Sequence, residues 1–181
     1  ADLDVSVIRE MPPGRQPVAT VAMAEERRGE VVTRVRAACQ EGQRAYWVCP
    51  LIAESEALDY QDAESTFDLL RETLQGITVG LIHGRMRNDE KEQVMKQFAA
   101  GQLQVLVATT VIEVGVDVPE ATLMIIENAE RMGLAQLHQL RGRVGRSHQR
   151  AYAYLMIPGE GLLTRDARWR LKGLQEQSEL G

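Results

Sequence analysis

The chain has 181 residues, 44% of them hydrophobic and 26% charged, the balance of one globular domain with at most a short appendage. Its formal net charge is −5, which argues against a protein that coats nucleic acid by bulk electrostatics and leaves only local contacts open. No apolar run approaches the roughly 20 residues that span a bilayer, and Ala1-Asp2-Leu3-Asp4 lacks the basic and apolar regions of a signal peptide.

In chain order, residues 1–17, with Met11-Pro12-Pro13-Gly14 and Pro17, read as a connecting segment, and the missing initial Met suggests processing or an excerpt. Short β-branched runs then alternate with helical patterns. Strands are predicted at 18–22, 45–49, 79–83, 105–108, 123–126 and 151–157. Helices are predicted at 30–39, 63–74, 89–99, 134–141 and 165–178. Residues 54–62, acidic and polar, read as an exposed loop after a strand. Ala63, Phe67, Leu70 and Leu74 form an apolar stripe on the second helix. On the third, Asn88 is the expected N-cap, Asp89 and Glu90 suit the first turn, and Gly101 follows the end. Such alternation with near-continuous apolar strands predicts an α/β fold, a parallel sheet covered by helices on both faces. Pro158-Gly159-Glu160-Gly161 breaks the chain. Ala167, Leu171 and Leu174 then make a short amphipathic helix, for which packing alone is sufficient reason.

Cys39 and Cys49 have no metal-like or CxxC spacing, and Cys49 lies in an apolar run, so reduced, buried thiols in a cytosolic protein are expected. His83, His138 and His148 are too scattered to suggest a metal site.

In an open parallel sheet, ligands gather at the carboxyl ends of the strands. Three segments land there. After the fourth strand comes Thr109-Thr110-Val111-Ile112-Glu113-Val114-Gly115-Val116-Asp117, whose hydroxyls and amides could hold a phosphate. Asp117 could accept from a ribose hydroxyl; ordinary loop capping is the alternative for the threonines. After the third strand comes His83-Gly84-Arg85-Met86, where the glycine permits close approach of a nucleic-acid backbone and Arg85 can pair with a phosphate. His83 could equally be a strand-end residue that only hydrogen-bonds.

The third segment is Gln139-Leu140-Arg141-Gly142-Arg143-Val144-Gly145-Arg146. Arg143 and Arg146 alternate with Gly142 and Gly145, each pair three residues apart and so on neighbouring positions of one helical or turn-like face. A guanidinium is a rigid fork of donors suited to phosphate oxygens, and a phosphoryl-transfer site uses such a group as an arginine finger. The plainer reading is a basic surface helix with a glycine-rich end. Between Arg131 and Arg150 there is no acidic residue. No GxxxxGK[ST] loop occurs, and no strand ends in an acidic pair to hold Mg²⁺ beside one. Finger-like arginines without a phosphate cradle imply ATP at an interface with another domain, so this chain alone should not hydrolyse it.

These residues resemble the second motor domain of superfamily 2 helicases, and within them the RecG-type ATP-dependent DNA helicases. Residues 139–146 match the family's motif VI, 109–117 its motif V and 83–86 its motif IVa. Tyr46-Trp47-Val48-Cys49-Pro50, Pro12-Pro13-Gly14-Arg15 and Ile126-Glu127-Asn128-Ala129-Glu130-Arg131 are similar to RecG in particular. The resemblance covers essentially the whole chain. Residues 133–146 are shared with the transcription-repair coupling factor Mfd, the runner-up; a non-catalytic docking module on a degenerate helicase fold is the alternative of a different class.

The resemblance implies a RecA-like motor domain at 18–157, an interdomain connection at 1–17 and the start of a helical hairpin at 158–181. It implies ATP with Mg²⁺ held mainly by a first RecA-like domain. It also implies branched DNA, forks and Holliday junctions, as partner, with a wedge domain elsewhere in the protein and a bacterial cytoplasmic setting. It assigns Arg146 and Arg143 to the phosphates, Gln139 to sensing or orienting that site, and Gly115 and Asp117 to the nucleotide or interdomain contact. Gly84, Arg85, Thr109 and Thr110 fall to the DNA backbone.

Overall fold

The computed structural model describes residues 18–51, 55–109, 118–144, 150–159 and 165–176. The strands are β1 (Val18–Ala24), β2 (Arg44–Val48), β3 (Val79–Ile82), β4 (Val105–Ala108), β5 (Ala121–Ile126) and β6 (Ala151–Ile157). The helices are α1 (Arg28–Gln40), α2 (Glu56–Thr73), α3 (Asn88–Ala99), α4 (Leu134–Arg141) and α5 (Arg165–Glu176), with 3-10 turns at Glu25–Arg27 and Ala129–Arg131. The six strands form one sheet in the order β1-β6-β5-β2-β4-β3, every neighbour parallel. This is the fold class the alternation predicts.

Side chains alternate across each strand with a period of two, so the central strands feed two cores. Tyr46, Val48, Leu106, Ala108, Met124 and Ile126 face one, closed by Met95 and Phe98 of α3, Leu137 and Leu140 of α4, and Leu171 and Leu174 of α5. Ala45, Trp47, Val105, Val107, Leu123 and Ile125 face the other, closed by Val31, Val35 and Cys39 of α1, by Ala63 and Leu70 of α2 and by Leu74 at its C-cap. Each large side chain so buried contributes about 1.5–3 kcal/mol. Burial on both faces is why these strands read as unbroken apolar runs. The expected stripe on α2 is buried with Phe67 partly so, and α5 docks through Ala167, Leu171 and Leu174 as its spacing indicates.

Both thiols are free and buried, and burial pushes Cys39 up to about 11 and Cys49 up to about 12. Neither is a nucleophile at neutral pH.

Two expectations are corrected. From Ser55 on, the acidic stretch expected as an exposed loop at 54–62 is helical: α2 begins at Glu56, capped by Ser55, whose Oγ accepts from Ala57 N at 3.1 Å, while residue 54 lies outside the described residues. Asp59 and Tyr60 are buried on it. Carboxylates early in a helix suit the positive end of its dipole, so the charge run marks a helix start. Asn88 is not the cap of α3 but its first residue. Arg87 holds the cap position, and its N–H donates to the Glu90 carboxylate at 3.0 Å. The stop at Gly101 is as expected: its φ of +84° is backbone that favours glycine.

Candidate functional site

β3 runs into His83-Gly84-Arg85 at its carboxyl end. The Arg85 N–H donates to His83 Nδ1 at 3.2 Å. The exposed Arg85 guanidinium lies 4.6 Å from the centre of the Tyr60 ring, and that ring lies 5.0 Å from the His83 ring. A Cβ on Gly84 would sit 3.0 Å from the Tyr60 hydroxyl, so glycine here makes room for a side chain of α2. Thr109 continues β4 and is 1% exposed; its neighbour Thr110 lies outside the described residues, as do Gly115 and Asp117.

At the far end of α4 the helical bonding continues past Arg141. Gly142 N donates to His138 O at 3.0 Å, Arg143 N to Leu140 O at 3.0 Å and Val144 N to Arg141 O at 3.3 Å. Gln139 and Arg143, four residues apart, therefore share one face of that turn. Gln139 is exposed, Arg143 is half-buried and Val144 is fully buried. Gly142 has φ −67°, backbone open to any residue. Gly145 and Arg146 lie outside the described residues.

Arg141, in the middle of this segment, has a role that the motif pattern did not disclose. It is 2% exposed and donates to Thr20 Oγ1 at 3.3 Å, to the Leu174 carbonyl at 3.2 Å and to His138 Nδ1 at 3.0 Å. It thus fastens α4 to β1 and α5. Since a guanidinium only donates, His138 Nδ1 must accept, which requires neutral imidazole at that nitrogen. Burial, and then the Arg141 charge, hold the His138 pKa below its ordinary value. A signal existed: Leu137, Leu140 and Arg141 are spaced as one buried helical stripe.

On the other face of the sheet, Glu127 follows β5 and is 7% exposed. It accepts from Trp47 Nε1 at 2.9 Å and from the Arg28 guanidinium. The next residue, Asn128, has φ +50°, the only left-handed non-glycine among the described residues. Beside them a cleft of about 590 Å³ opens between α1 and α2, lined by Arg28, Trp47, Cys49, Thr66 and Glu127 among others.

What the arginine end of α4 can do is bind anions. It carries guanidinium groups in a stretch free of carboxylates. Among the described residues no acidic, His or Cys cluster could hold a metal ion, and no helix is long and apolar enough to cross a membrane.

Residues 28–148 match the family model of the helicase conserved C-terminal domain. The chain is 56% identical over 180 residues to the ATP-dependent DNA helicase RecG of Escherichia coli O157:H7, covering 99% of this chain and 26% of that protein. It therefore spans about a quarter of that relative's length. Among solved structures, RecG bound to a three-way DNA junction superimposes with a TM-score of 0.76 at 44% identity, over 92% of this chain and 21% of that one. A DEAD box protein from the hyperthermophile Methanococcus jannaschii matches with a TM-score of 0.62 at 20% identity, over 92% of this chain and 41% of that one, a likeness of fold alone.

Proposed function

The chain belongs to the helicase conserved C-terminal domain family and is RecG-like along nearly its whole length, and from that premise we propose that it works as the second RecA-like motor domain of an ATP-dependent helicase that remodels branched DNA in repair and recombination. The observation that carries this reading is the carboxylate-free end of α4, where Gln139 and Arg143 share a face and Arg141 ties the helix to α5. The partner of that face is a nucleotide held mainly by a first RecA-like domain of the same protein, in the bacterial cytoplasm.

The donors on α4 fit the triphosphate of ATP. Cationic donors do not ligate its Mg²⁺, and among the described residues no acidic cluster could hold it, so its ligands are assigned to the other domain. The bound nucleotide supplies the phosphoanhydride whose hydrolysis drives the motor. Arg146, with Arg143, places positive charge on the β- and γ-phosphates as charge builds there, and Gln139 orients the site. Gly115 and Asp117 meet the nucleotide or the facing domain. On the sheet's carboxyl edge, Gly84 and Arg85 meet the DNA backbone, with Thr110 beyond the end of β4; Thr109, 1% exposed, is too buried for such a contact. Branched DNA is the substrate, delivered by a wedge domain elsewhere in the protein.

The test is fork-stimulated ATPase of the full-length protein. Arg146→Ala should lower turnover by about 10³-fold or more, the scale of an arginine finger, with ATP still bound. Arg143→Ala should fall in the same direction. Turnover unchanged by Arg146→Ala removes the finger assignment, and absence of DNA-dependent turnover in the wild type removes the motor reading.

A further inference from the structure

We propose that Tyr60 of α2 is the residue that positions Arg85 for a DNA phosphate, so that the backbone-contact site on the sheet's carboxyl edge has a built aromatic wall. This rests on the DNA reading of Arg85 given above and adds to it a residue from a separate element, 25 positions earlier in the chain.

Three contacts converge on that ring. The guanidinium of Arg85 lies over it at 4.6 Å. The His83 ring packs on it at 5.0 Å, with the two planes tilted by 40°. Its hydroxyl occupies the space that a Cβ on Gly84 would need. Meanwhile the Arg85 N–H is tied back to His83 Nδ1 at 3.2 Å. Backbone and side chain of Arg85 are thus both constrained, although the side chain itself is exposed.

An exposed arginine pays rotamer entropy each time it pairs with an anion. Resting a guanidinium on a fixed ring removes part of that cost, and the planar cation keeps its edge donors free to form a bidentate pair with phosphate. Tyr60 suits the task because it is only 9% exposed, so its ring is fixed by the packing of α2. His83 and Gly84 complete the arrangement, one as a second wall whose ring nitrogen accepts from the Arg85 N–H, the other as the gap that admits the hydroxyl. The segment His83-Gly84-Arg85 therefore acts as a unit with an α2 residue that no motif includes. Tyr60 touches no phosphate in this scheme; it acts through Arg85.

The experiment measures fork-DNA affinity of the full-length protein, and its dependence on salt, for Arg85→Ala, Tyr60→Ala, Tyr60→Leu, Tyr60→Phe and the Tyr60→Ala/Arg85→Ala double variant. Arg85→Ala should weaken binding about tenfold and lower the slope of log affinity against log salt by about 1. Tyr60→Ala and Tyr60→Leu should each weaken it about two- to fivefold, raising the DNA concentration for half-maximal ATPase more than they alter the plateau. Tyr60→Phe, which keeps the ring, should bind like the wild type. In the double variant the tyrosine change should add nothing to the loss from Arg85→Ala.

Wild-type binding by Tyr60→Leu shows a residue that only fills space and overturns the proposal. So does a double variant in which the two losses multiply. If Arg85→Ala itself binds normally while DNA still stimulates the ATPase, the phosphate contact is wrong and the proposal falls with the motor reading intact. If the wild type neither binds DNA nor responds to it, both fall together.

Discussion

On the α1/α2 face the buried carboxylate of Glu127 is matched by a cation, Arg28, and by the Trp47 N–H; on the α3/α4/α5 face the buried cation Arg141 donates, among the described residues, to a hydroxyl, a ring nitrogen and a carbonyl. The first arrangement joins β2, β5 and α1, two of them neighbouring strands in the middle of the sheet. It is a clamp on the middle of the sheet. The second joins β1, α4 and α5 one residue before Gly142-Arg143, and each of its bonds is 3.0–3.3 Å long. Hydrogen bonds from a charged donor net about 1.5–3 kcal/mol each. Breaking a buried ion pair costs about 3–5 kcal/mol. One network holds the middle of the sheet, and the other holds the helix beside the face assigned to nucleotide.

The largest effect expected from this contrast is at Glu127. Glu127→Ala strands the Arg28 charge and leaves the Trp47 N–H unpaired, which should cost about 3–5 kcal/mol of stability in urea unfolding. Arg28→Met combined with Glu127→Leu should recover much of that loss, because both charges are gone and apolar volume remains. A loss below about 1 kcal/mol in Glu127→Ala would contradict a clamp.

Arg141→Met should cost about 1–3 kcal/mol, since it leaves the Thr20 hydroxyl, the Leu174 carbonyl and His138 Nδ1 without their donor. Its effect on DNA-stimulated turnover of the full-length protein should nevertheless exceed that of Glu127→Gln. If instead the two variants lower turnover in proportion to their stability losses, Arg141 is a second clamp, and the distinction between the faces disappears.

Much of this was legible in the sequence, and the reason is physical. Strands buried on both sides must be apolar throughout, so 105–108 and 151–157 are found at their observed bounds. Alternating arginine and glycine marks residues 139–146 because few folds need that pattern. What escaped was whatever depends on distant packing. Arg141 meets Thr20 across 121 positions, and nothing local to either residue announces it. Tyr60 reads as loop in the sequence because charge near a helix start resembles charge in a loop. Its contact with Arg85 exists only once α2 lies over the end of β3. Glu127 and Asn128 carry part of the RecG resemblance, but their work, bonding Trp47 and turning the chain with a left-handed residue, is set by the sheet order. Thr110, Gly115, Asp117 and Arg146 lie outside the described residues, so their assignments stand on the resemblance.

The smallest effect is a dependence on pH confined to the α4 face. His138 Nδ1 accepts from Arg141, and burial together with that cation lowers its pKa from the ordinary 6.5. As pH falls, the unfolded chain therefore takes up this proton before the folded one does. Stability from this group is complete above about 6.5 and is lost as pH drops through the lowered value. Glu130 runs the other way, since burial raises its carboxyl and acid then favours the folded state. The two are separated by subtraction. Urea midpoints at pH 7.5 and 5.5 should fall further for the wild type than for His138→Asn, in which every carboxylate is kept. Equal falls would mean that the His138–Arg141 bond survives protonation by exchanging its acceptor, and the joint would then be insensitive to acid.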